Sequence, residues 1–248
     1  MSQLTGTIDD FGLDTRSLAG PLAGKLAAVR AAGFTQVMLD ACDVSAHPGG
    51  VEAAVAEVKA SGLRVIALQA LRDYEGLAGH AHAYKTEVAR SMLELCTAVG
   101  AEVLLVAATT SVHAVGDLDA MARDLRKLAM LAVPKALRIA YAVLPGACRV
   151  RDVLTAWEVV ARADAPNLGI GVDALHVLAT DIALDDLDLL DPQKIFLVQL
   201  SDFLWTSDLP DDVRAEDAPH LRVFPGEGVH GERLAALVRR LDGLGVVK

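Results

Sequence analysis

The stretch GIGVDALHVL, residues 169–178, carries an apolar run to a carboxylate, Asp173, and places an imidazole, His176, three residues further on. A carboxylate and a histidine at that spacing can act as ligand and base in proton transfer. The plain alternative is a helix N-cap aspartate followed by a histidine on the rim. A second polar group stands in LQALRDYEG, residues 68–76, where Gln69, Arg72, Asp73 and Glu75 follow an apolar run and His80 and His82 come soon after. The Arg72 guanidinium offers a two-pronged fork for a carboxylate or diol, and the plain reading is a solvated loop with an Arg–Asp pair. In IFLVQLSDF, Gln199 alternates with Val198 and Leu200, so an amide faces one side of a strand and needs a partner there, and Asp202 follows. HLRVFPGEG, residues 220–228, sets Arg222 and Glu227 around a Pro-Gly turn, which suits an oxyanion or a carboxylate. These residues predict a site in which His176, Arg222, Asp173 and Glu75 act on the substrate. Gln69, Arg72, Asp73, Gln199, Asp202 and Glu227 are expected to bind it.

The elements that must position these residues repeat at intervals of roughly 30 residues, an apolar β-rich run followed by an Ala- and Leu-rich helical segment. The expected strands are GTIDDFG, TQVMLDA, LRVIALQA, EVLLVAAT, LRIAYAVL, LGIGVDAL and KIFLVQLSD. Helical segments such as AGPLAGKLAAVRAAGF and VEAAVAEVKASGL carry a glycine suited to a C-terminal cap. Near-continuous apolar strands imply burial on both faces, as in a parallel sheet wrapped by helices. The pattern predicts one domain, residues 1–248, folded as a (β/α)8 TIM barrel. Its eighth strand is expected to be truncated or missing, because Val246, Val247 and Lys248 alone follow the helix GERLAALVRRLDGLG. In such barrels the active site lies at the C-terminal ends of the strands, so polar residues at those ends are the first candidates. Acidic stretches at 181–191 and 207–219 are placed in the rim layer.

Composition narrows the function classes. A net charge of −10 with no basic patch predicts no nucleic-acid partner. No apolar run reaches the length of about 18 residues that spans a bilayer, so the chain is expected to be soluble and not to meet a membrane. MSQLTGTIDDFG lacks the basic and apolar segments of a secretion signal, which predicts a cytoplasmic location. Three cysteines, Cys42, Cys96 and Cys148, without a CxxC pair read as buried free thiols. Neither GxGxxG after the first strand nor GxxxxGK[ST] occurs, so no nucleotide cofactor is expected.

The order LQALRDYEG, LLVAATTSV, AWEVVARADAPNLGIGVDALHVLA, KIFLVQLSD and RVFPGEG resembles the xylose-isomerase-like TIM barrels grouped as sugar phosphate isomerases and epimerases. Within that group it is most similar to the bacterial 3-dehydroshikimate dehydratases. The resemblance runs over nearly the whole chain. It implies a divalent metal held by a Glu after the fifth strand, an Asp after the sixth, a Gln or His in the seventh and a Glu in the eighth. Asp173 and Gln199 match the middle two, while His176 and Arg222 match substrate-binding or catalytic positions. The fifth-strand Glu falls on Ala142, and the eighth-strand Glu has no counterpart. A degenerate metal site follows, with no cofactor or a weakly bound Mn, Mg, Co or Zn.

Three expectations remain open from sequence. One is a lyase or isomerase that abstracts a proton beside the carbonyl of a small polyhydroxylated compound, with Arg222 and His176 in place of the full metal site. A second is a homo-oligomer that completes barrel and site across an interface, since open strand edges favour association. The third is a non-catalytic ligand-binding or accessory protein with a retained pocket.

Overall fold

The computed structural model describes residues 8–114, 117–144, 146–180, 182–204 and 222–246. Seven parallel strands form one sheet in strict chain order: β1 (Gly12–Asp14), β2 (Gln36–Asp40), β3 (Arg64–Arg72), β4 (Val103–Ala107), β5 (Arg138–Ala142), β6 (Leu168–Asp173) and β7 (Ile195–Gln199). Between them run α1 (Leu22–Ala31), α2 (Ala41–Ser45), α3 (Gly50–Ser61), α4 (Gly79–Val99), α5 (Leu118–Ala132), α6 (Val153–Ala163) and α7 (Ala174–Ala179). A two-residue antiparallel pair, β8 (Asp202–Phe203) with β9 (Arg222–Val223), follows β7, and α8 (Gly231–Gly243) comes after it. The strand order is that of the expected barrel, with seven parallel strands in place among the described residues.

Period-two alternation divides the apolar residues into two cores. One face of each strand joins the helices in a large layer that includes Val37, Leu68, Leu104, Ile139, Tyr141 and Ile170. The other face lines the barrel interior with Met38, Ala67, Val103, Leu105, Ala140, Ala142 and Leu197. The sheet curls enough for the Gln199 amide of β7 to lie 3.8 Å from the Met38 sulfur of β2. On β6 the interior positions include glycine, and a Cβ added at Gly171 would lie 3.3 Å from the Ala142 methyl.

The first strand differs from the sequence expectation. Residues 8–10 of GTIDDFG form a 3₁₀ turn, β1 begins at Gly12, and residues 6 and 7 lie outside the described residues. Adjacent acids disfavour a strand at that point, and the Asp9 carbonyl accepts from the Gln36 side chain instead. The thiols differ too. Cys96 is buried, Cys148 is half-buried and Cys42 is exposed on the short α2. The acidic stretch at 207–219 and Asp181 lie outside the described residues, whereas 184–189 form a 3₁₀ helix on the rim.

Candidate functional site

Asp173 is the last residue of β6, and its Oδ1 accepts the Leu175 N–H at 3.0 Å, which caps α7. That cap turns the chain sharply and brings His176 back over the carboxylate, with Nε2 3.5 Å from Oδ2. Arg222 arrives from β9 and grips the same carboxylate with two prongs, Nη1 to Oδ1 at 3.3 Å and Nη2 to Oδ2 at 2.9 Å. The Asp173 side chain is 7% exposed and that of His176 11%, whereas Arg222 keeps 30% of its surface in solvent.

Burial alone would raise the Asp173 carboxyl, but the charges of His176 and Arg222 and the hydrogen bonds from Arg222 and Leu175 outweigh it and hold it below its ordinary value. Burial lowers the His176 imidazole, Asp173 pulls it up and Arg222 pushes it down, for a net fall. At neutral pH the cluster therefore holds an ionised carboxylate, a permanent guanidinium and a neutral imidazole. The charge that persists against Asp173 is that of Arg222.

Gln199 stands opposite Asp173 in the β6–β7 register. Gln69, three residues before the end of β3, donates from Nε2 to Asp14 Oδ1 at 2.5 Å and stands in register with Asp40 on β2. Burial raises the Asp14 carboxyl, and nearby Asp40 adds to the rise against hydrogen bonds from Arg16 and Gln69. Arg72 is exposed at the tip of β3, and no carboxylate pairs with it among the described residues. Asp73 accepts from Thr110 N at 2.9 Å. Glu75 is fully buried, bonded to Thr109 and Tyr141 on the helix side of the sheet. Asp202 is fully buried too, and its Oδ1 accepts from Phe203 N at 2.8 Å and His230 N at 3.0 Å. It ties the β8–β9 pair, and so Arg222, to the loop before α8. Glu227 is exposed and closes its own turn by accepting from Phe224 N at 3.2 Å.

The structure therefore joins Asp173, His176 and Arg222 directly, with Gln199 alongside in register. Gln69, Arg72 and Asp73 lie along the β3 end of the rim, while Glu75 and Asp202 sit beneath it. Sequence reading missed Asp14, Thr109, Thr110 and Tyr141. Asp14 and the two threonines follow apolar runs and were open to detection by position. Tyr141 reads only as a core residue.

A hard divalent cation needs several oxygen donors with enough negative charge to replace its water. Asp173 already receives three donors besides His176, the Gln199 amide carries no charge and Ala142 has no donor atom. Among the described residues no group of three His, Cys, Asp or Glu side chains converges to hold a metal. The described residues do not fit the metal that the resemblance implies.

Seven sequential parallel strands with helices between them define a TIM-barrel scaffold, and the candidate polar groups gather at the strand C-termini. The chain belongs to the xylose isomerase-like TIM barrel family, whose pattern matches residues 26–247. It is 35% identical over 86% of its length to a 3-dehydroshikimate dehydratase of Pseudomonas aeruginosa, and 27% identical over 67% to an inosose isomerase of Bacillus licheniformis. The chain spans about a third (33%) of the Pseudomonas protein and 59% of the Bacillus one. A solved xylose isomerase-like TIM barrel/4-hydroxyphenylpyruvate dioxygenase fusion protein superposes with a TM-score of 0.87 at 27% identity, covering 96% of this chain and 38% of that one. The IOLI protein, solved with a zinc atom, shares the fold at a TM-score of 0.78 and 18% identity, over 96% of this chain and 87% of its own. No helix among the described residues is long and apolar enough to cross a membrane.

Proposed function

We propose that this chain acts as a lyase or isomerase on a small polyhydroxylated carbonyl compound, resembling 3-dehydroshikimate or an inosose, by moving a proton beside the carbonyl. The observation that carries the reading is the contact of Asp173, His176 and Arg222 at the end of β6. His176 turns Nε2 to Asp173, and its Nδ1 has no hydrogen bond within the described residues, so the neutral ring has a lone pair for a substrate C–H proton. Asp173 stays ionised to steady the imidazolium that forms. Arg222 contributes fixed positive charge for the enolate oxygen, and Arg72 is a second cation at the mouth for a substrate carboxylate. The similarity to a dehydratase and an isomerase supports the substrate class.

The test is turnover of 3-dehydroshikimate and of an inosose, together with incorporation of solvent deuterium beside the carbonyl. His176→Asn is expected to cut both by about 10²–10⁴-fold, and a chelator is expected to change neither. Loss of activity on chelation, or full activity in His176→Asn, overturns this mechanism. A second reading, a ligand-binding protein without turnover, is favoured by one observation: Arg222 is already neutralised by Asp173 in the absence of ligand. It predicts a ligand-induced rise in Tm with neither product nor deuterium incorporation.

A further inference from the structure

The turn after β3 is stitched down more heavily than a rim loop requires. Asp73 adopts a left-handed backbone, φ 51°, which L residues rarely take and which persists only where its surroundings impose it. Its own carboxylate holds that shape, accepting from Thr110 N at 2.9 Å and from the Thr109 and Thr110 hydroxyls at 3.3 and 3.2 Å. The turn then drives Tyr74 and Glu75 into the helix layer, where both are fully buried. Glu75 Oε1 accepts the Thr109 N–H at 2.6 Å and the Tyr141 hydroxyl at 2.8 Å, while Oε2 is buried with no partner among the described residues. Gly76 N donates to Asp124 Oδ2 at 3.1 Å, and Lys85 Nζ donates to the Arg72 carbonyl at 2.8 Å. One short segment is thus fastened to the ends of β4 and β5 and to α4 and α5, with Arg72 at its head.

We propose that Glu75 is a positioning residue, a proton-dependent latch that holds the Arg72–Gly76 turn against Thr109 and Tyr141 and so fixes Arg72 at the barrel mouth. The groups around it are Asp73 on the same turn, Tyr141 from β5, and Tyr74, which in turn senses Asp124 of α5 and Arg90 of α4. Asp124 is occupied by Lys127 at 3.1 Å and lies 3.7 Å from His82. No cation pairs with Glu75 itself among the described residues, so its negative charge has no local compensation. Burial is the main force on the carboxyl and, with Asp73, outweighs the hydrogen bonds from Thr109, from Glu75's own backbone N–H and from Tyr141, lifting it from 4.5 to about 7. Opening the turn would return the carboxyl to water and to its ordinary value. The closed latch is therefore at full strength below about pH 4.5 and weakens as pH rises through about 7. The consequence for Arg72 rests on reading the mouth as a binding site, whereas the latch does not.

Amide hydrogen exchange across residues 72–78 and at Thr109, corrected for intrinsic rates, tests the latch in the whole chain. Protection is expected to fall by about 70-fold between pH 5 and pH 8, the factor that a carboxyl titrating near 7 when closed and 4.5 when open imposes. Glu75→Gln should flatten that dependence, and Tyr141→Phe should move it to higher pH by removing a hydrogen bond that favours the charged form. Protection that is flat with pH in the unaltered chain, or unchanged in slope in Glu75→Gln, overturns the latch. The positioning role adds a further readout: KM for 3-dehydroshikimate should climb across the same window while kcat holds, with Glu75→Gln removing the climb. A chain that follows the exchange prediction but never turns over substrate keeps the latch and discards the proposed activity. Turnover with a KM unaffected by pH in that window discards the control of Arg72.

Discussion

Replacing Arg222 by methionine should destabilise the fold by about 3 kcal/mol at pH 7, because it leaves the Asp173 carboxylate buried without its persistent counter-charge. The figure sits at the low end for a broken buried pair, since Arg222 is itself part-exposed. The pH dependence gives the sharper signature. In the unaltered chain the Asp173 carboxyl is lowered, so its contribution is present above the unfolded value near 3.8 and is lost as pH falls through the folded value. In Arg222→Met the guanidinium charge and its hydrogen bonds no longer offset burial, so the carboxyl moves up from its folded value and its contribution at neutral pH shrinks. His176, freed from the guanidinium, protonates more readily and adds to stability on the acid side. Urea denaturation should therefore show a larger penalty at pH 7 than at pH 5. An equal penalty at both would mean that Asp173 does not depend on Arg222 for its charge.

Gly228→Ala should be nearly as costly, for a steric reason. The added Cβ would lie 2.6 Å from both the Asp202 carboxyl carbon and the Phe203 carbonyl oxygen. The backbone oxygen has little freedom, so Asp202 must rotate away from the Phe203 and His230 N–H groups that it satisfies. One buried and one part-buried donor then lose this acceptor, and a loss of about 2–4 kcal/mol follows. Because Asp202 anchors the β8–β9 pair, Arg222 should also shift, and ligand affinity should fall with stability. Gly226→Ala is the control. Its φ of 88° strains an added side chain, but nothing lies within 4 Å of it, so a loss of about 1 kcal/mol without the effect on Asp202 is expected. Similar losses in both variants would remove the steric argument.

Much of the barrel was readable because an apolar run with a capping glycine behind it is a local signal: five of the seven expected runs contain the strands themselves, and a sixth, LRVIALQA, covers all of β3 but Leu71 and Arg72. The first was misjudged because Ile8 and Phe11 promise an edge that Asp9 and Asp10 interrupt. Asp173 and His176 were legible from the position of a carboxylate at the close of an apolar run. That Arg222 grips Asp173 from 49 residues away was not, since β9 has two residues and no periodicity to read. Glu75 shows the same limit. A polar residue just past a strand reads as rim, and only the left-handed backbone at Asp73 reveals that the chain has turned inward. Tyr141 looks like filler until its hydroxyl finds that carboxylate.

The strict β1-to-β7 order also bears on how the chain reaches its native state. Every ladder joins neighbours roughly 30 residues apart, so pairing can spread strand by strand without a distant segment having to arrive first. Contacts such as Gln199 with Met38, 161 residues apart, form only once the sheet has curled. A partly zipped sheet with exposed edges is the natural transient species, and refolding should show a fast gain of parallel-sheet signal ahead of the slower burial of Met38, Ala142 and Leu197.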